Sequence, residues 1–157
     1  MKNIKFLSVS SFEVTENNIK KPIIFKMGDS VTVNIEVRMY PSLSGATEIN
    51  QFNKENGTTQ EIKISSSLIY SYYDTSQKQR FYFTIQEFIS NSLDELLNED
   101  KEFLVSNDFN IDSKRLPDFK KDNTYNNLSY FFYVINMNIE NKIVDEILKV
   151  EVPILRK

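Results

Sequence analysis

Apolar and polar residues alternate along most of this chain, and an alternation of period two predicts β-strands. The clearest case runs from Val31 to Met39, where apolar residues occupy every second position and Thr, Asn, Glu and Arg lie between them. This pattern predicts a strand with one buried and one solvated face. The turn pair Gly28-Asp29 precedes the strand, and Pro41 ends it.

The same alternation predicts further strands along the chain. Asp74 to Gln79 is typical of a turn, so we expect a hairpin there. The segment from Leu128 to Ile139 is apolar on both faces, which favours a central strand covered on both sides. Pro153 places the last strand at or near a sheet edge, because proline lacks a backbone donor. The other predicted strands cover residues 4–14 (with one slip near residue 6 that a β-bulge would absorb), 23–25, 62–72, 81–83 and 144–154.

One segment breaks the alternation. From Ile85 to Leu104, apolar residues recur at spacings of three and four with acidic residues opposite them. This predicts an inserted amphipathic helix, or two short helices divided at residues 91–92. Residues 105–127 are polar, contain Pro117 and have no consistent period, so we expect a long loop with at most a short strand there.

Strands on both sides of one helix, without β-α-β alternation, indicate an antiparallel architecture. We therefore predict a mainly β fold: a two-layer antiparallel β-sandwich, immunoglobulin-like or jelly-roll-like, of about seven strands. The 157 residues suit one domain, with the helix and the long polar loop inserted at about 85–127.

The chain contains no histidine and no cysteine. This excludes Ser-His-Asp and Cys-His catalysis, thiol redox chemistry, disulfides and the usual zinc and haem ligand sets. Its three glycines are not spaced as a phosphate-binding loop. We therefore predict a protein that is not an enzyme and that holds no cofactor.

The charge balance is slightly acidic, with 19 basic and 22 acidic residues. Binding to nucleic acid needs a clustered excess of basic residues, so we do not expect a nucleic-acid partner. No apolar run is long enough to span a membrane, and the residues after Met1 lack the apolar core of a signal peptide. We expect cytoplasmic synthesis, with later assembly into a virion or an extracellular apparatus as an alternative. Abundant Asn, Ile, Lys, Phe and Tyr suggest an AT-rich genome, bacterial or viral.

One motif resembles a metal site. Asp108-x-Asn110-x-Asp112 has the first three ligand positions of an EF-hand calcium loop. The later positions depart from that loop, because Ser113 replaces glycine and Phe119 replaces the bidentate glutamate. We expect a solvated acidic loop, and we keep a looser calcium site as the alternative.

Three aromatic runs lie on predicted strands, at residues 70–73, 81–83 and 130–133. A strand divides each run between two faces, so at least half of the rings belong to a core. The rings that we expect to be exposed, and that could stack on a sugar, are Tyr73, Tyr82 and Tyr133.

Two charged sets are candidate partner surfaces. Glu95, Glu99 and Glu102 share the polar face of the predicted helix, which is either solvated or a docking face for a basic partner. Lys149 and Glu151 lie on the last strand, where charges prevent promiscuous edge pairing but leave a specific neighbour able to dock.

Residues 25–37 combine Phe25, the pair Gly28-Asp29 and alternating valines. This segment resembles the start of the second major strand in many bacterial immunoglobulin-like modules. The resemblance implies a binding or spacer module.

These observations favour a structural or interaction protein. We predict a non-enzymatic subunit of a larger bacterial or phage assembly, such as a tail, capsid, secretion or adhesion apparatus. It would act through protein surfaces as a homo- or hetero-oligomer. The alternative hypothesis is a glycan-binding β-sandwich that uses the exposed tyrosines, and the third is a carboxylate-dependent hydrolase.

Overall fold

A computed structural model of the chain describes residues 7–16, 23–25, 28–41, 62–74, 77–89, 103–116, 129–139 and 142–156. Within these ranges, the chain forms nine strands, one 3-10 turn at Ser113–Arg115, and no α-helix. The strands are β1 (Leu7–Thr15), β2 (Ile23–Phe25), β3 (Ser30–Pro41), β4 (Ile62–Asp74), β5 (Gln79–Ile89), β6 (Phe103–Asp112), β7 (Tyr130–Ile139), β8 (Lys142–Val152) and β9 (Ile154–Arg156).

Seven of the nine strands form two antiparallel sheets, so the mainly β, antiparallel prediction is confirmed. One sheet has the order β1-β3-β6 and the other has the order β5-β4-β7-β8. Strand β7 is central and β8 lies at an edge, both as expected from the sequence. At Pro153 the chain leaves the four-stranded sheet, and β9 then pairs in parallel with β2.

Strand β3 lies between β1 and β6, and its regular alternation gives it one buried face. The side chains from Val31 to Met39 that share the apolar face are at most 9% exposed. Gly28 precedes this strand with a φ of 91°, a left-handed conformation that favours glycine. Ser113 ties this turn to the end of β6, because its hydroxyl accepts a 2.8 Å hydrogen bond from the Gly28 amide.

Both sheets contribute to one core in a sandwich-like arrangement. Phe109 of β6 is fully buried and contacts Tyr133 of β7 edge-on at a centroid distance of 6.0 Å. It also contacts Phe88 of β5 at 5.3 Å. The two sheets are therefore joined by aromatic packing in their interior.

The prediction of a helix from Ile85 to Leu104 is wrong at both of its ends. Residues 85–89 belong to β5 and residues 103–104 belong to β6, while residues 90–102 lie outside the described residues. The reason is a β-bulge: Leu68 pairs with Gln86 and Ile69 with Thr84, so Ile85 is an extra residue. Because of the extra residue, the apolar side chains of Ile85 and Phe88 are three positions apart instead of two. A spacing of three is also typical of an amphipathic helix.

The expected long polar loop is also wrong over its first part, because residues 105–112 continue β6. Val105, Phe109 and Ile111 face the core, but Asn107 occupies the inward position between the first two of them. Because Asn107 is polar, the apolar alternation that predicts a strand is interrupted in β6. In β1 a bulge lies between Val9 and Ser11, whereas residue 6, where the slip was expected, lies outside the described residues.

Candidate functional site

The outer face of the four-stranded sheet points away from the shared core, and it carries a cluster of aromatic and basic side chains. Cross-strand pairing places Tyr82 opposite Ser71, Ser71 opposite Tyr130, and Ile69 opposite Phe132. We call the following group the Tyr82 patch: Arg80 and Tyr82 of β5, Tyr130 and Phe132 of β7, and Lys149 of β8.

Tyr82 is the most exposed aromatic residue of this patch, with 63% of its surface accessible. Its ring meets the Phe132 ring edge-on at 6.0 Å. The two residues lie on β5 and β7, on opposite sides of β4, and the small Ser71 side chain leaves room for the rings to meet above β4. Phe132 itself is only 6% exposed, so the Tyr82 ring packs against a buried side chain.

Two cations flank these rings. The Arg80 guanidinium donates a 2.7 Å hydrogen bond to the Ser71 hydroxyl and lies 5.3 Å from the centre of the Tyr130 ring. Lys149 places its ammonium group 5.1 Å from the centre of the Phe132 ring. Cation–π contacts at such distances hold both long side chains over the sheet.

The same face continues toward the other end of the sheet. Ile89 pairs with Ser65, and Ile143 pairs with Asn138. Both isoleucines are at least 60% exposed. The outer face therefore presents apolar side chains at both of its ends.

The outer face of the three-stranded sheet is different, because polar side chains there satisfy one another. Thr32 donates a 2.7 Å hydrogen bond to Asn110, and Asn34 donates a 2.9 Å hydrogen bond to Asp108. Asp112 accepts a 3.0 Å hydrogen bond from the amide of Lys114 at the end of β6. These contacts engage each residue of the calcium-like motif.

That motif lies on a strand and not in a loop. Asp108, Asn110 and Asp112 alternate along β6, where they cannot wrap around an ion as a calcium loop does. The residues that the structure describes contain no group of three or more acidic side chains placed to hold a metal.

The three candidate tyrosines differ in their exposure to solvent. Tyr82 is exposed, Tyr73 is half-buried, and Tyr133 is fully buried. The expectation of an exposed Tyr133 is therefore wrong, because this residue shares the inward face of β7 with Phe131 and Ile135. Both faces of β7 are apolar, so the sequence pattern alone did not distinguish them.

Of the charged candidates, Lys149 and Glu151 are both exposed on β8. Glu95, Glu99 and Glu102 lie outside the described residues. Sequence reasoning did not find Arg80, Tyr130 or Phe132. The strand pairing is what identifies them, because it places all three residues on the same face of the sheet as Tyr82.

Tyr133 is a buried titratable group. Burial raises the pKa of its phenol to about 12, and the nearby Ser66 hydroxyl offsets part of this rise. The Ser66 hydroxyl donates its hydrogen bond to Asn107 and not to the phenol. Among the described residues, the Tyr133 oxygen has no hydrogen-bond partner.

No helix in the described ranges has the length and apolar character needed to cross a membrane.

No protein-family model matches the chain, and no curated protein matches its sequence.

Among solved structures, the chain is similar to Spo0M, a sporulation control protein from Bacillus subtilis, with 13% identity and a TM-score of 0.40. That match covers 98% of this chain and 50% of the other. A second similarity is to the alkylpurine DNA glycosylase AlkC of Pseudomonas fluorescens bound to DNA containing an abasic site analog, with 10% identity and a TM-score of 0.36. It covers 97% of this chain and 31% of AlkC, so the chain spans half or less of either protein. Similarities of this degree assign no function.

Proposed function

We propose that this chain is a non-enzymatic interaction module that binds a protein partner through the Tyr82 patch. The observation that carries the proposal is the exposed Tyr82 ring, which rests on the buried Phe132 ring. Protein interfaces concentrate binding energy in Tyr, Trp and Arg side chains that are held in place before the partner arrives. Arg80 is a second such anchor, because its hydrogen bond to Ser71 holds the side chain in place.

The geometry favours a protein partner over a sugar. The Tyr82 and Phe132 rings are 90° apart, and the Tyr130 and Phe132 rings are 46° apart. A row of sugar rings stacks best on rings that share one plane, whereas a protein side chain can fill the angle between two rings. Arg80 and Lys149 beside these rings suit a partner with acidic residues around an apolar centre.

Membership of a larger bacterial or phage assembly, as a homo- or hetero-oligomer, is part of the same proposal. The absence of histidine and cysteine supports a role in binding. For the fold type we propose the immunoglobulin-like form of the sandwich. The two antiparallel sheets and the Gly28 turn that precedes β3 support it.

The test is binding of the purified chain to the products of its neighbouring genes, measured by titration calorimetry. We expect Tyr82→Ala to weaken binding by about 2 kcal/mol, or roughly 30-fold in Kd. Tyr40→Ala is the matched control, because Tyr40 is another exposed tyrosine, but it lies on β3 in the other sheet. Equal effects of the two substitutions would argue against the patch.

Glycan binding is the second candidate, and the exposure of Tyr82 is what favours it. A glycan array separates the two proposals. Binding of a glycan that is lost in Tyr82→Ala, together with no binding to any neighbouring gene product, would replace the protein partner with a sugar.

A further inference from the structure

A cavity of about 230 Å³ lies at the side of the sandwich where β5 and β6 approach each other. Among the described residues, those that line it are Phe83, Ile85, Asn110, Asp112, Arg115 and Leu116. It is separate from the Tyr82 patch, because successive residues of a strand point to opposite faces and Phe83 packs against the core.

The cavity combines an apolar lining with two opposite charges. Phe83, Ile85 and Leu116 supply the apolar part. Arg115 is exposed, and in the part of the chain that the structure describes it forms no ion pair with Asp112. One Asp112 oxygen accepts the Lys114 amide, which leaves the other oxygen for a ligand.

Asn110 adds a hydrogen-bond donor. Its side-chain oxygen already accepts the Thr32 hydroxyl, so the amide NH2 group is what it can offer. A ligand that satisfies this lining needs a carboxylate for Arg115 and Asn110, a cation for Asp112, and an apolar group for the remaining wall.

We propose that this cavity binds a free amino acid with an aliphatic side chain, such as leucine. The α-carboxylate pairs with Arg115 and the α-ammonium pairs with Asp112, while the side chain contacts Phe83, Ile85 and Leu116. The volume supports this class, because it is below the roughly 300 to 1,000 Å³ of pockets for drug-sized ligands. A peptide end carries only one of the two charges at its terminal residue, so it satisfies only half of the site.

The test is an NMR titration of the isotope-labelled full chain with three probes that share one side chain. These probes are leucine, N-acetyl-leucine, which lacks the ammonium group, and leucinamide, which lacks the carboxylate. We expect leucine to bind at least about tenfold more tightly than either analogue. The shifted amides should belong to residues 83–85 and 110–116. Equal binding of N-acetyl-leucine, or no shift with leucine at millimolar concentration, would overturn the proposal.

Two variants check the charged contact. Arg115→Gln should weaken leucine binding at least about tenfold, whereas Lys114→Gln should leave it unchanged, because Lys114 is exposed on the same turn but does not line the cavity. Both residues are on the surface, so both variants should unfold at the temperature of the parent chain. Equal loss in the two variants would point to non-specific charge attraction and would contradict the site. Tyr82→Ala should not affect leucine binding, which keeps this test independent of the proposed function.

Discussion

The hydroxyl of Ser66 donates a 2.7 Å hydrogen bond to the side-chain oxygen of Asn107. Ser66 belongs to β4 of the four-stranded sheet and Asn107 to β6 of the three-stranded sheet, so this bond crosses the sandwich interior. Ser66 is buried and Asn107 is half-buried. Each side chain thus offsets the cost of placing the other on an inward face.

This bond should be measurable as a coupling energy. In a double-mutant cycle of Ser66→Ala and Asn107→Ala, we expect a coupling of about 1 kcal/mol in the free energy of unfolding. The control cycle uses Thr32 and Asn110, whose bond is also 2.7 Å long but is exposed. Water competes with the exposed bond, so its coupling should be smaller. A larger coupling in the control pair would contradict the stabilising role of the bond between the sheets.

Tyr133→Phe should leave the protein as stable as before or stabilise it by about 1 kcal/mol. The Tyr133 oxygen is buried without a partner among the described residues, so its removal eliminates a desolvation cost and leaves the ring in place. Urea unfolding measures the change. A loss of more than about 1 kcal/mol would mean that the phenol is hydrogen-bonded in solution.

Tyr133 should also make stability fall at high pH. Burial raises the pKa of its phenol to about 12 in the folded chain, whereas an unfolded chain has the ordinary value near 10. The folded state therefore holds this proton more tightly. Its contribution is complete below pH 10 and is lost as the pH rises toward 12, by about 2 to 3 kcal/mol in total. Between pH 10 and 12, urea unfolding of Tyr133→Phe should show a weaker pH dependence than the parent chain. Parallel curves would refute this assignment.

Phe109→Ala should destabilise the chain by about 3 to 5 kcal/mol. Phe109 is fully buried and contacts aromatic rings from β5 and β7, so its removal leaves a cavity between the sheets. Ser106→Ala is the control on the exposed side of the same strand and should change stability by less than about 0.5 kcal/mol. Denaturant unfolding of both variants gives the comparison. Similar small changes would mean that β6 does not complete the core.

Calcium should not stabilise the chain. Asp108, Asn110 and Asp112 are spread along a strand, and each already has a hydrogen-bond partner. We expect the same Tm with EDTA and with millimolar calcium. A rise of several degrees with calcium would reveal coordination, because a ligand that binds only the folded state raises the Tm.

Strand β3 shows what a sequence can predict when a local rule is obeyed throughout. Its alternation is unbroken, and its burial follows that alternation residue by residue. Strands β5 and β6 show the opposite case. The bulge at Ile85 and the inward Asn107 each break the period. The bulge lies opposite Leu68 and Ile69 of the hairpin partner β4, and Asn107 bonds to Ser66, which is 41 residues away.

The lack of β-α-β alternation predicted antiparallel pairing. The alternation of apolar and polar residues predicted the strands themselves, because one buried face imposes a period of two on a strand. The sequence by itself also identified Tyr82 as a candidate contact. The folded structure was needed to show which residues of other strands surround Tyr82, since the order β5-β4-β7-β8 brings Phe132 and Lys149 to the face that carries Arg80 and Tyr82. It also decided that Tyr133 is buried, because two apolar faces of one strand look alike until a second sheet covers one of them.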